Sequence, residues 1–320
     1  MKYKLKKISG DASFREFYRL RKNNKTSIIV SAKKEKFKNL IVYSVVNKIL
    51  NINNVNAPKL LDNHYDNDMI EISDLGEKSF YDYVIFKKNK LNEYKNLIKL
   101  LIKVQKIKIK KSYKLGKFKV KFLKYSLNNL HKESDLFFDW YLKHCFKNRK
   151  ISKIKKLLRK ELNEVYKKLK FSNDTFVHRD FHVSNVMVKN KKLGLIDSQD
   201  AIIGNPLYDV ASLIDDVRIK LSINLQKKLF HFYYKNSKLK KNDVKNLKND
   251  FDILSVQRNL KVLGVFVRLC KRDGKNNYLK FLPYTWTLIE RRLRNPIFKN
   301  LNISINKNLP IKKLRKLNKI

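Results

Sequence analysis

Cysteine, proline, glycine and acid are all scarce in this chain, and each scarcity excludes a class of protein. The two cysteines, Cys145 and Cys270, lie far apart and form neither a CxxC pair nor a zinc-ligand spacing. A disulfide scaffold and a zinc module are therefore excluded, and reduced core cysteines in a cytoplasmic protein are expected. Seven glycines and five prolines in 320 residues leave no room for collagen-like, linker-rich or low-complexity architecture. Long apolar runs are missing too. The longest, residues 40–46 and 262–269, fall well short of the ~20 residues that span a bilayer. The first twenty residues lack the apolar core of a secretory signal. No membrane partner is expected.

What is present in excess is positive charge. Lysine and arginine number 75 against 28 acidic residues, a formal net charge of +47. Such a balance ordinarily points to a polyanion partner. Here the lysines are spread along nearly the whole chain, in company with Asn, Ile, Tyr and Phe. That pattern reads as compositional drift of the kind an AT-rich coding sequence gives. No specific nucleic-acid partner is expected, although the field would attract nucleotides and, at low salt, RNA. The 43% hydrophobic content suits a packed core.

Along the chain, residues 3–8, 17–20, 27–32 and 69–72 have strand character, and residues 39–50 carry apolar positions at helical spacing. Ser73-Asp74-Leu75-Gly76 is a turn-rich boundary after an apolar strand. Beyond it the pattern turns helical over 91–107, 135–146 and 151–169. A short β-rich island comes next. It has strands at 175–177, 186–188 and 193–196, with Asn190-Lys191 as a hairpin turn. Asn205-Pro206 then opens a helix expected to run to about residue 219.

The island carries the chemistry. It reads His178-Arg179-Asp180-Phe181-His182-Val183-Ser184-Asn185, then Gly194-Leu195-Ile196-Asp197. This is the order of a kinase catalytic loop followed by a metal-binding aspartate. Phosphoryl transfer needs a carboxylate at the attacking hydroxyl and a divalent cation on the phosphates. Asp180 is the candidate base, and Asn185 and Asp197 are the candidate Mg²⁺ ligands. His178 and His182 stand four apart, but the strand-like flanks withhold the helix a two-His zinc site needs. Near the start, Gly10, Asp11, Ala12 and Ser13 form a small-residue turn able to lay backbone N–H groups over phosphates. Glu71, Ile72 and Ser73 could be the hinge whose backbone holds adenine.

These residues resemble the aminoglycoside-phosphotransferase-like kinases. Within them the chain is most similar to the bacterial N-acetylmuramate/N-acetylglucosamine anomeric kinases. Four blocks carry the likeness. The first is Gly10-Asp11-Ala12-Ser13-Phe14-Arg15, and the second is Glu133-Ser134-Asp135-Leu136-Phe137 with Trp140. The third runs from His178 through Ile196-Asp197-Ser198-Gln199-Asp200-Ala201 to Gly204-Asn205-Pro206-Leu207-Tyr208-Asp209. The fourth is Gln257-Arg258-Asn259-Leu260-Lys261 with Phe266, Arg268 and Arg272-Asp273-Gly274-Lys275. The resemblance implies an α+β, two-lobed protein-kinase-like fold. Residues 1–75 would be a small β-rich N-lobe covering the nucleotide. Residues 76–320 would be a larger, mostly helical C-lobe, with the catalytic loop and metal-binding hairpin at 174–200. It implies ATP and Mg²⁺ as cofactors, a monomer, and a sugar substrate phosphorylated at its anomeric hydroxyl during cell-wall sugar recycling. It also nominates His182, Gln199, Asp200, Arg258, Arg268, Arg272 and Asp273 as substrate-binding residues.

Two departures stand out. The strand at 28–31 carries no lysine, Lys33 and Lys34 lie just past it, and the helix at 39–50 has no glutamate. The usual N-lobe Lys–Glu pair of kinases is therefore absent or rebuilt. Position 198 is Ser where an aromatic residue is expected. Two other readings compete: a kinase of an aminoglycoside, choline or amino-alcohol substrate, and a nucleotide-responsive RNA-binding pseudokinase. The intact Asp180, Asn185 and Asp197 weigh against the second.

Overall fold

The structure, a computed structural model, describes residues 3–8, 15–23, 25–32, 38–145, 151–241 and 243–314. By packing the chain divides into two compact units. One comprises residues 1–123 and 175–203, the other 124–174 and 204–320.

The first unit opens with β1 (Tyr3–Ile8), β2 (Glu16–Lys22), β3 (Lys25–Ser31), helix α1 (Lys38–Ile52), β4 (Leu60–His64) and β5 (Met69–Ser73). The strands form one sheet in the order β1-β2-β3-β5-β4, every pair antiparallel. Val30, Ala32, Ile70 and Ile72 meet Leu40 and Tyr43 in its core. α1 is rich in β-branched residues, which are indifferent helix formers. It persists because tertiary burial outweighs propensity: Leu40, Ile41, Tyr43, Val45, Val46, Ile49 and Leu50 are all buried. Next come α2 (Phe80–Val84), α3 (Leu91–Gln105) and a hairpin of β6 (Ser112–Leu115) with β7 (Phe118–Lys121), against which α1 also packs. The unit is completed by β8 (Thr175–Val177), β9 (Val186–Lys189) and β10 (Lys192–Leu195). Lys189 pairs with Lys192. Asn190 and Lys191 between them both have positive φ, at 51° and 61°. That is the two-residue turn whose twist suits a hairpin.

Three strands, β4, β6 and β7, lie where no element was expected. β4 is an exposed polar edge whose residues, Leu60-Leu61-Asp62-Asn63-His64, do not alternate. β6 and β7 fall between the stretches expected to be helical, 91–107 and 135–146. Gly116 sits in their turn at φ +54 and lets the chain reverse there.

The second unit is helical. α4 (Leu127–Leu136) continues through a π-helical turn, Phe137–Leu142, into α5 (Lys143–Cys145). It is followed by α6 (Ile151–Tyr166), α7 (Leu207–Ile214), α8 (Ile223–Asn236), the 30-residue α9 (Val244–Asp273), α10 (Leu282–Leu293), α11 (Lys299–Asn308) and α12 (Ile311–Leu314). α9 is the spine, packing against α4, the π turn, α7 and α10. Its middle, from Phe251 to Leu260, is buried on every face. Asp250 on α9 accepts the backbone N–H groups of Lys170 and Phe171 and the Nδ2 of Asn205. Burial pushes its pKa up, against those hydrogen bonds. α9 ends at Gly274, whose φ of +67 is the left-handed cap that a side chain resists.

α7 ends five residues before the expected stop at 219. Asp216 turns its carboxylate to the backbone N–H and guanidinium of Arg218. Asp215 gives its own carboxylate to Arg292 and Ser255. Side chains that bond nearby backbone in this way compete with helix propagation. At the other end Asn205 Oδ1 accepts the N–H of Leu207, with Pro206 as the cap.

Candidate active site

β8 delivers the chain to His178, which is fully buried and lies edge-on to Phe181 at 6.3 Å. Arg179 then takes φ +75. Left-handed backbone at a non-glycine residue costs on the order of 1–3 kcal/mol and persists only where surroundings enforce it. Here it reverses the chain so that Asp180 opens the loop. The guanidinium of Arg179 reaches the Asp200 carbonyl at 3.5 Å and the Asp200 carboxylate at 3.8 Å.

The loop is wound on itself. The Asp180 carbonyl accepts the N–H of His182 and the Nδ2 of Asn185, both at 3.0 Å. The His182 carbonyl accepts the N–H of Asn185. The same Asn185 Nδ2 lies 3.3 Å from His182 Nε2, so that ring nitrogen is the acceptor. Its NH₂ group is engaged twice, and Asn185 Oδ1 has no hydrogen-bond partner among the described residues. The Asn185 carbonyl accepts from Ile196 N–H, which ties the loop to the far strand of the β9–β10 hairpin.

That hairpin is docked tightly. Leu195 N–H donates to the Asn56 carbonyl, and Asn56 Nδ2 donates to the Leu193 carbonyl. A Cβ on Gly194 would fall 2.8 Å from Leu75 and 2.9 Å from Asn56 Nδ2, so glycine is what permits the approach. The strand ends at Asp197, a second left-handed residue at φ +64.

Asp197 Oδ1 accepts two hydrogen bonds, from Arg15 at 3.0 Å and from Gln199 Nε2 at 3.1 Å. Arg15 also donates to Gln199 Oε1 at 3.0 Å. Burial pushes the Asp197 carboxyl above its ordinary pKa. Arg15 opposes the rise and the nearby Asp180 carboxylate adds to it. The negative charge the two carboxylates gather here would suit a nearby divalent cation. Mg²⁺ needs only one or two protein carboxylates when phosphates supply the remaining ligands. The donor set of Asp197 and Asn185 Oδ1 therefore suits that ion.

Ser198, where an aromatic residue was expected, is fully buried. It donates its hydroxyl to Asn47 Oδ1 on α1 at 2.7 Å. A hydrogen bond thus joins the helix to the segment bearing Asp197. Asn47, Arg15 and Tyr43 are the residues that the sequence did not single out. Only Arg15 left a trace there, as the last residue of the first resemblance block.

The expected hinge is largely spoken for. Ile72 pairs with Ile28 on one side and Leu60 on the other, and Ser73 N–H donates to the Lys59 carbonyl. Arg19 braces the segment just past β5 by a two-pronged contact to Asp74, with Nε–Oδ2 at 2.6 Å, and by bonds to Glu77 and the Gly76 carbonyl. Asp74 holds a pKa below the ordinary carboxylate value: burial raises it, but the bonds from Arg19 and Gly76 N–H outweigh that. Gly10, Asp11, Ala12 and Ser13 lie outside the described residues, as do Lys33 and Lys34.

In the second unit, Arg258, Arg268, Arg272 and Asp273 lie along α9. Arg258 is buried. Arg268 Nε is buried and has no hydrogen-bond partner among the described residues, and burial with Arg272 nearby lowers its pKa. Arg272 grips Asp273 through two bonds, at 2.7 and 2.9 Å. Three resemblance blocks converge here. Glu133 Oε2 accepts from Tyr208 at 2.7 Å and from Gln257 at 3.0 Å inside the helical core.

The profile of the phosphotransferase enzyme family matches residues 4–240. The chain belongs to that family. Its reaction class is phosphoryl transfer to a hydroxyl acceptor. It is 27% identical over 296 residues to the N-acetylmuramate/N-acetylglucosamine kinase of Pseudomonas aeruginosa, covering 89% of this chain and 83% of that one. It is 25% identical over 281 residues to the protein of the same name in Neisseria meningitidis, covering 86% and 81%. Among solved structures, a choline/ethanolamine kinase family protein from Mesorhizobium loti superposes with TM-score 0.62 at 12% identity, over 98% of this chain and 92% of that one. A spectinomycin phosphotransferase in complex with ADP and spectinomycin does so with TM-score 0.57 at 13% identity, over 94% and 92%. The α+β kinase-like fold expected from the sequence, with a β-sheet N-terminal region and a mostly helical C-terminal part, is the one found. Among the described residues no helix is long and apolar enough to cross a membrane.

Proposed function

We propose that this enzyme transfers the γ-phosphoryl group of ATP to the anomeric hydroxyl of N-acetylmuramate or N-acetylglucosamine. Such a product would serve sugar recycling from the cell wall. The observation that carries the reading is similarity along most of the chain to two curated relatives of that one name. The kinase lobes would be residues 1–75 and 76–320, with the nucleotide covered by the first.

In this reading Asp180 orients the acceptor hydroxyl and takes its proton. A hemiacetal hydroxyl is more acidic than an ordinary alcohol, so a plain carboxylate suffices as base. Asp197 and Asn185 Oδ1 hold Mg²⁺, which when bound offsets charge on the transferred phosphoryl group. Adenine is read by backbone just past β5. There the peptide groups of Leu75 have no hydrogen-bond partner among the described residues, whereas Ile72 and Ser73 are already paired. The small-residue stretch 10–13 would offer backbone N–H groups to the phosphates.

Of the α9 arginines, Arg268 is the candidate partner for an acceptor carboxylate on its hydrogen bonding alone. Its half-buried guanidinium retains an unsatisfied donor, while Arg272 is committed to Asp273. N-acetylmuramate carries a carboxylate and N-acetylglucosamine does not. The basic composition of the C-terminal helices weighs against a cationic acceptor such as choline or an aminoglycoside. The test is ADP release with Mg-ATP across a panel of amino sugars, choline, ethanolamine and aminoglycosides. Turnover with one or both N-acetyl sugars is expected. Turnover confined to the cationic acceptors would reverse the assignment.

A further inference from the structure

Kinases usually bring a lysine from the third strand to the nucleotide phosphates and brace it with a helix glutamate. Neither is found here at those places: β3 reads Lys25-Thr26-Ser27-Ile28-Ile29-Val30-Ser31, its one lysine at the far, exposed end, and α1 contains no acidic residue. A cation does reach the candidate metal site, by another route. Arg15 directly precedes β2, and its guanidinium is buried against Asp197 and Gln199. The rings of Phe17 and Tyr43 flank it, at 5.9 and 5.8 Å.

Taking the site as a nucleotide site, we propose that Arg15 is the cation that meets the nucleotide phosphates, and that its pairing with Asp197 is the arrangement of the ligand-free enzyme.

Three physical arguments support this. A buried guanidinium requires an anion, and without ligand Asp197 supplies it. Once a divalent cation claims Asp197, the two positive groups crowd each other unless a further anion joins them, and a phosphate oxyanion is that anion. With Asp180, Asp197 and Arg15 together carrying a formal charge of about −1, adding Mg²⁺ reverses the sign and calls for negative charge from the ligand. Finally, the two rings flank the guanidinium at cation–π range and take none of its N–H donors, so its fork stays available for bidentate contact with phosphate.

The experiment is calorimetric binding of ADP and of adenosine to the full-length protein. Each is measured with Mg²⁺ and with EDTA, for wild type, Arg15→Ala and Arg15→Lys. Loss of charge-assisted bonds predicts a ~10- to 100-fold weaker affinity of Arg15→Ala for ADP in both conditions. Arg15→Lys should fall between, and adenosine, which has no phosphate, should bind all three equally. If Arg15→Ala does not fold, Arg15→Gln, which keeps bulk against the rings, carries the same expectations. Unchanged ADP affinity in EDTA would overturn the proposal. So would a loss seen only with Mg²⁺, which would make Arg15 a positioning residue for Asp197. A parallel loss of adenosine binding would also overturn it, by showing general damage. Wild-type protein that binds no ADP would overturn the nucleotide-site reading and this proposal together, whereas normal wild-type binding with an unaffected variant removes Arg15 alone.

Discussion

Asp180 and Asp197 are the same residue type 17 positions apart, and their surroundings differ in ways that suit the different tasks proposed for them. Asp197 is held at one oxygen by Arg15 and Gln199. Asp180 follows the left-handed Arg179 at the head of a loop whose backbone bonds close on its own carbonyl. Replacing Asp180 by Asn should lower kcat by ~10²–10⁴, the usual loss for a general base, while ADP binding persists. Retention of more than about a tenth of wild-type kcat would remove Asp180 from that role. Asp197→Ala and Asn185→Ala should instead raise the Mg²⁺ concentration needed for half activity. A magnesium titration unchanged in both would take them out of the site. Why these residues were legible and Arg15 was not is a matter of sequence distance. Asp180, Asn185 and Asp197 lie within one loop and hairpin, so their spacing carries their chemistry. The Arg15–Asp197 pair spans 182 positions, and only the folded sheet brings its ends together.

At the scale of elements, periodicity identified what lies on a one-sided face and missed what does not. α3 and α6 bury regular apolar stripes and lay where the pattern put them. β4 has no alternation to read, and the β6–β7 hairpin is hidden in a lysine-rich stretch whose only signal is Gly116. The end of α7 was obscured because the tertiary partners of Asp215, Ser255 and Arg292, are 40 and 77 residues away. Helix packing in the second unit rests in part on Gly264 of α9, where an added Cβ would sit 2.2 Å from the Leu136 carbonyl oxygen at the end of α4. Backbone cannot give way as a flexible side chain can, so Gly264→Ala should destabilise by about 3 kcal/mol, the upper end for overpacking. Urea denaturation checks this. A change below about 0.5 kcal/mol, the level of a neutral surface substitution, would mean that the helices separate freely.

For the whole molecule the dominant quantity is charge. Several of the scarce acids sit where the helical unit cannot spare them: Glu133, Asp209, Asp215, Asp216, Asp250 and Asp252 are all buried. Lysine has accumulated chiefly on surfaces that tolerate it, which supports incidental basicity. RNA affinity should therefore be weak and should fall steeply between low and physiological salt, as counterion release dictates. Tight, sequence-selective binding near ~0.2 M salt would instead support a nucleic-acid role.

The central claim is the position of the transferred phosphate, and product chemistry tests it most directly. The enzyme is incubated with ATP, Mg²⁺ and either N-acetyl sugar, and the phosphorylated product is examined for its reducing end, its stability to mild acid and its phosphorus–proton couplings. A sugar 1-phosphate is expected: no reducing end, rapid release of phosphate in mild acid, and coupling of phosphorus to the anomeric proton. A reducing, acid-stable product such as a 6-phosphate would contradict the account.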